Sequence, residues 1–227
     1  MQVKTKIAAL AVLAAATLHG AEFVNELGTY KLPSPQTTYS SDRQREDVCK
    51  SFGDGFRVPT VEELFNAPQE LKEKAEKSLY ASSTHNPQNN EEIYYHSFEN
   101  RDVNIVSQKE SLYLVCFKGS GKIKTKALVW SKGERNRMEH KEAKAFCEAK
   151  GERLPSANEL FALAIEKLSD EKAFVGKYGA THPKYYWSAD VNDDFSNTAI
   201  VVGFMRASVA SSAKDNKSFV RCVKDGK

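Results

Sequence analysis

The sequence predicts an α+β protein built as two tandem domains of about 100 residues each. Three observations carry that prediction. A nonapeptide is written twice, RVPTVEELF from Arg57 to Phe65 and RLPSANELF from Arg153 to Phe161. Helix-like and strand-like stretches then follow in the same order after each copy. Four cysteines also fall in matching places, Cys49 and Cys116 in the first copy and Cys147 and Cys222 in the second. Five landmarks recur in one order: Cys, R-[VL]-P-[TS], E-L-F, Y-Y-x-S and Cys. A period near 95 residues is too long for a solenoid and suits two homologous domains.

The chain opens with Lys4 and Lys6, an apolar run from Ile7 to Leu18, and the small residues Gly20 and Ala21. That is the layout of a secretory signal peptide, assigned to residues 1–21. The run is too short to span a bilayer comfortably, and no second apolar stretch approaches that length. The first domain is then expected over 22–120 and the second over 121–227. The boundary falls in KGSGKIKTK, Lys118 to Lys126, rich in Gly and Lys and poor in apolar side chains. The net charge of +3 includes Lys4 and Lys6, so the mature chain keeps 31 basic against 30 acidic residues. A charge near zero does not support a global field for nucleic acid. The basic stretch at 118–126 reads as a solvated linker.

In the second copy, Ala143, Phe146 and Cys147 share one helical face, and Gly151 is suited to end that helix. Leu154 enters the core in a short extended piece. Ser156 and Glu159 form a capping box for a second helix with an apolar face of Leu160, Phe161, Leu163, Ala164 and Leu168. In the first copy Val48, Cys49 and Phe52 line the first helix, Gly53 and Gly55 end it, and Thr60 and Glu63 cap the second. The segments YYWSADV, NTAIVVGFM and SFVRCV are β-branched and aromatic between turn-forming clusters, as are EIYYHSF, DVNIVS and SLYLVCF. Each domain should therefore be two helices followed by a small antiparallel sheet.

Four cysteines in an exported chain point to two disulfides, and the repeat selects Cys49–Cys116 and Cys147–Cys222 from three possible pairings. No C-x-x-C occurs, and the spacing suits no zinc motif. His85, His96, His140 and His182 share no metal-ligand spacing and read as structural. No G-x-S-x-G is present, and KGSGK lacks the upstream Gly of a phosphate loop.

The run Trp130, Ala143, Cys147, Gly151, Arg153, Leu154, Pro155, Glu159, Leu160, Tyr186, Trp187, Ser188, Arg221 and Cys222 resembles the bacterial DUF1566 family, the domain at the C-terminus of the Legionella collagen-like adhesin. Helix, helix, then a sheet whose last strand returns the partner Cys also resembles the C-type-lectin-like fold. The first copy reads as a diverged version, with His96 for Trp187, Val115 for Arg221 and no Trp matching Trp130. The resemblance implies an exported binding module, periplasmic, secreted or at the cell surface, with adhesion to carbohydrate or to an envelope or host protein. Sugar-binding C-type lectins hold Ca²⁺ with an E-P-N or Q-P-D loop and a W-N-D before the last Cys, and this chain has neither. No cofactor is expected, and Asn192, Asp193 and Asp194 read as a polar turn, with a Ca²⁺ site as the alternative. Candidate ligand contacts are Tyr186 and Trp187 as stacking rings, Asn192, Asp193 and Asp194 in one loop (Ser188 to Ser196), and Asn89 and Asn90 in another (Asn86 to Glu92). The expected activity is binding without catalysis. The alternatives are an enzyme like the formylglycine-generating oxidases or a structural subunit of an envelope complex.

Overall fold

The computed structural model describes residues 20–76, 78–120, 127–133, 136–192 and 195–226. The signal-peptide assignment lies almost wholly outside them. The first half runs β1 (Ala21–Asn25), β2 (Gly28–Leu32), β3 (Thr38–Tyr39), α1 (Asp42–Ser51), α2 (Val61–Phe65), α3 (Gln69–Lys74), β4 (Leu79–Asn86), β5 (Asn89–Ser97), β6 (Val103–Ser107), β7 (Leu112–Tyr113) and β8 (Cys116–Gly119). The second runs β9 (Leu128–Trp130), α4 (His140–Glu148), α5 (Ala157–Ser169), α6 (Glu171–Tyr178), β10 (Tyr185–Val191), β11 (Thr198–Gly203), β12 (Ser208–Ala213) and β13 (Val223–Asp225).

The molecule is α+β, and both predicted disulfides form, Cys49–Cys116 and Cys147–Cys222. Two features differ from the sequence reading. Each half has three described helices, since α3 and α6 follow the capped helix directly. Leu71 and Phe174 are what those added helices bury. The two sheets are also not separate. One eight-stranded sheet runs β10-β11-β12-β6-β5-β4-β7-β3 across both halves, joined where Val209 of β12 pairs with Val103 of β6. All its pairings are antiparallel except β4 with β7. The largest core cluster mixes Val61, Tyr94 and Val103 with Leu160, Phe161, Ile200 and Phe204. Tyr94 and Phe161 meet edge to face at 5.3 Å, and the Tyr94 hydroxyl donates to the Arg206 carbonyl at 2.9 Å. Sheet edges are costly to leave open, and the shared seam removes one from each half.

The repeated nonapeptide is a hinge with an ion pair inside it. Glu159 accepts from the Ser156 amide at 2.7 Å while its own amide bonds the Ser156 hydroxyl at 3.2 Å. Arg153 closes on the same carboxylate with two bonds of 2.8 Å. Burial alone would raise the Glu159 carboxyl, but the hydrogen bonds from Arg153 and Ser156 outweigh it and hold it below the usual range. Thr60, Glu63 and Arg57 repeat the arrangement, with Arg57 to Glu63 distances of 2.6 and 2.8 Å. The repeated Arg, to which the sequence reading gave no role, is thus the clamp on the capping carboxylate. It also bridges to the closing strand. Arg57 and Phe117 exchange backbone bonds of 3.0 and 2.8 Å, and Arg153 and Val223 exchange two of 2.9 Å.

These bonds give the residue-by-residue match between the halves. The Pro59 carbonyl accepts from Ser83 at 2.8 Å, and that of Pro155 from Ala189 at 2.7 Å. Ser82 donates to the Tyr94 carbonyl, and Ser188 to that of Ile200. Tyr186-Trp187-Ser188 therefore matches Tyr80-Ala81-Ser82 of β4, not the Tyr94-Tyr95-His96-Ser97 of the sequence alignment. Phe117 lies opposite Tyr30 and Val223 opposite Trp130, so Tyr30 takes the place for which no Trp was found. The Y-Y-x-S words coincided on neighbouring strands, where the alternation of side chains is similar and a one-strand slip costs nothing in pattern.

Candidate functional site

Tyr186 and Trp187 are fully buried, and their polar atoms are used inside the chain. The Tyr186 hydroxyl accepts from the His182 amide at 2.9 Å, and the Trp187 indole donates to the Met138 carbonyl at 2.8 Å. They are core residues and offer no stacking surface. Asn89 and Asn90 are exposed at the start of β5, where the Asn89 side chain accepts from the Glu91 amide in a local turn. Asp193 and Asp194 lie outside the described residues.

Asn192 is the candidate that reaches a cleft. It is 1% exposed, and its side-chain amide donates to the Ser211 hydroxyl at 3.1 Å. The Ser211 hydroxyl donates in turn to the Asn100 carbonyl at 3.4 Å, across the seam. A cleft of about 180 Å³ lies there, lined by Asn100, Asp102, Asn192, Phe195, Ala210 and Ser211. Both halves build it. The β5–β6 turn supplies Asn100 and Asp102, with Arg101 between them at φ 58° to make the bend and donating to the Val191 carbonyl at 3.1 Å. The β10–β11 loop supplies Asn192 and Phe195, and β12 supplies Ala210 and Ser211. Asn89 sits eight residues along β5 from Ser97, about 25 Å away at strand rise, so the two predicted loops do not converge.

Burial raises the Asp102 carboxyl, while a bond from the Ser211 amide pulls the other way. Phe195 stands 58% exposed beside these polar groups. Carboxylate, carboxamide and hydroxyl next to an open aromatic face can hydrogen-bond a polyol or amide while covering its apolar side. The Ser211 hydroxyl is engaged with both Asn100 and Asn192. Among the described residues no group of three His, Cys, Asp or Glu side chains could hold a metal ion.

The four described histidines each contact neighbouring residues of the fold. His85 faces Asp42 at 3.6 Å, His140 contacts the Ser188 carbonyl at 3.0 Å, and His182 stacks on Phe219 at 4.2 Å. His96 is 2% exposed between Phe65 and Phe98, with centroids at 4.8 and 5.1 Å and Nδ1 without a partner. Burial first, then the charges of Lys72 and Arg101, push its pKa down to about 3. A histidine held neutral in the fold contributes stability fully above its unfolded pKa near 6.5, and loses it as pH falls toward 3. A depression of that size corresponds to about 4–5 kcal/mol. His96→Phe is therefore expected to flatten the acid limb. Urea midpoints of variant and parent should diverge in the variant's favour from pH 6.5 downward, and parallel curves from pH 7 to 4 would refute the assignment.

A disulfide-closed α+β chain, its two halves sharing one sheet and a polar cleft at their seam, is the class defined by these features. Residues 124–224 match the sequence profile of the Lcl C-terminal domain, the family of the Legionella collagen-like protein. The match covers the second half and leaves the first outside it. No curated protein matches the chain. Two disulfides fit an extracellular or envelope protein. Among the described residues no helix is long and apolar enough to cross a membrane.

Proposed function

We propose that the chain is an exported, non-catalytic recognition module made of two copies of one C-type-lectin-like unit, and that the seam cleft holds its ligand. The ligand is a small polar group, a saccharide unit or a polar side chain of an envelope or host protein. The observation that carries this reading is the cleft itself. Amide, carboxylate, hydroxyl and an exposed ring converge there from both halves, whereas the other predicted contacts are buried or distant. The duplication reading is supported by the matched bonds at Arg57 and Arg153, Pro59 and Pro155, and Ser82 and Ser188. Family likeness to a surface protein over 124–224 supports the extracellular setting.

The test is a glycan array with envelope pull-down, run with calcium and with chelator. Binding is expected in both conditions. Asp102→Asn and Phe195→Ala should each weaken the captured ligand at least tenfold, since a lost charged hydrogen bond or ring contact is worth about 1.5 kcal/mol or more. Asn89→Ala should leave it unchanged. Chelator-sensitive binding, or binding indifferent to both cleft variants, would sink the proposal.

A further inference from the structure

The cleft at the seam holds a carboxylate to which the chain supplies no cation. Asp102 is half-buried at the end of the β5–β6 turn, where its carbonyl accepts from the Ser97 amide at 2.9 Å and its carboxylate from the Ser211 amide. Among the described residues no lysine or arginine forms an ion pair with it. Arg101, next to it in the turn, donates to the Val191 carbonyl at 3.1 Å, and its charge acts on Asp190, Lys72 and His96. Lys214, directly after β12, donates to the Ser196 carbonyl at 2.6 Å. By contrast, the capping carboxylates Glu63 and Glu159 each hold an arginine, at 2.6 and 2.8 Å.

A carboxylate drawn out of water regains its charged form when an opposite charge comes within about 4–6 Å. Phe195 lines the same cleft and is 58% exposed, and the face of a phenyl ring attracts cations through its quadrupole. Asn100 also lines the cleft, is exposed, and carries a carboxamide oxygen. An alkylammonium or a guanidinium has only donors to offer, and carboxylate, amide oxygen and ring face all suit it. An anion would be repelled by Asp102. The Asn192 amide and the Ser211 hydroxyl are spent on each other and on the Asn100 carbonyl, which leaves few free groups for the hydroxyls of a sugar.

We infer that the seam cleft receives one cationic side chain of a partner protein, the ammonium of a lysine or the guanidinium of an arginine, with Asp102 as counter-ion and Phe195 as the ring that covers it. This rests on the seam cleft being the ligand site, and it narrows the ligand from any small polar group to a positively charged one. Ser211 ties the receptor together. Its amide holds the Asp102 carboxylate and its hydroxyl the Asn100 carbonyl at 3.4 Å, so the receptor exists only where the two halves meet.

The experiment uses the full chain, with NMR resonances of Asp102 and Phe195 as reporters, Asn89 as the remote control, and ionic strength held constant. The probes are the Nα-acetyl amides of lysine and arginine. Saturable shifts at Asp102 and Phe195, with Asn89 unmoved, are expected from both. The norleucine analogue lacks the ammonium and leaves the protein untouched; it should bind at least tenfold more weakly, since a hydrogen bond to a charged group is lost. Asp102→Asn keeps an acceptor for the Ser211 amide and should weaken the lysine probe at least tenfold as well. Equal binding of the norleucine analogue would overturn the inference. So would an equal response to calcium chloride, which would assign the site to inorganic cations, or a stronger one to glucosamine, which would assign it to an amino sugar. Neutral N-acetylglucosamine moving these resonances while the cationic probes do not would keep the cleft as the ligand site and sink only its charge preference. If no probe moves them, the cleft fails as the site and the inference fails with it.

Discussion

Trp187→Ala is expected to lower the stability of the folded chain by about 3–5 kcal/mol, seen as a reduced urea midpoint at an unchanged slope. The indole is fully buried among Ala143, Leu154, Val201 and Val220, meets His140 edge to face at 5.2 Å, and supplies the donor for the Met138 carbonyl. Truncation leaves both a cavity and an unsatisfied acceptor. The first half solves the same place differently. Ala81 stands where Trp187 does, and on the facing helix Arg45 is 0% exposed and donates to the Tyr39 carbonyl from Nε at 3.2 Å and Nη2 at 2.9 Å. Further bonds run to Gln108, Glu110 and Asp42. Tyr39 matches Met138, and Arg45 matches Ala143, each four residues before its disulfide Cys. At the matched positions the first half carries Arg45 and Ala81, the second Ala143 and Trp187, one large and one small side chain in each. The double variant Ala143→Arg with Trp187→Ala should recover part of the loss. If the double variant is no better than the single, the two pairs are not equivalent.

Removing the Cys147–Cys222 bridge by paired Cys→Ser substitution is expected to cost about 4 kcal/mol. The bridge closes 75 sequence positions, and loop-closure entropy of the unfolded chain over that span sets the scale. Both cysteines are fully buried, with Cys147 on α4 and Cys222 just before β13, so the bridge pins the first helix of the half to its closing strand. Cys49 and Cys116 do the same over 67 positions. Equilibrium denaturation of the variant should show the loss. A change below about 1 kcal/mol would mean that the reduced chain already holds this helix and strand together.

Much of the local structure was legible because its causes are local. A Ser or Thr three residues before Glu signals a capped helix start, and Thr60–Glu63 and Ser156–Glu159 make those bonds. Ala143 and Cys147 share a buried face because the helical period puts them there. What the sequence concealed depends on partners far along the chain. α3 and α6 are short, and they are held by burying Leu71 and Phe174 against cores that a local pattern does not reveal. The cleft escaped for the same reason. Asn100 and Ser211 are 111 positions apart, and nothing in either segment says that they meet. Tyr186 and Trp187 were read as possible ligand rings because an aromatic on a strand has the same pattern whether it faces core or solvent.

The sequence by itself determined where the capped helices start, from short-range chemistry, and which cysteines pair, from the spacing of a repeated pattern. Only the tertiary structure decided that the two halves share one sheet and that a polar cleft opens at their seam. Those outcomes depend on which strand edges find partners, and an edge's partner is a matter of distance in space that no stretch of the chain records.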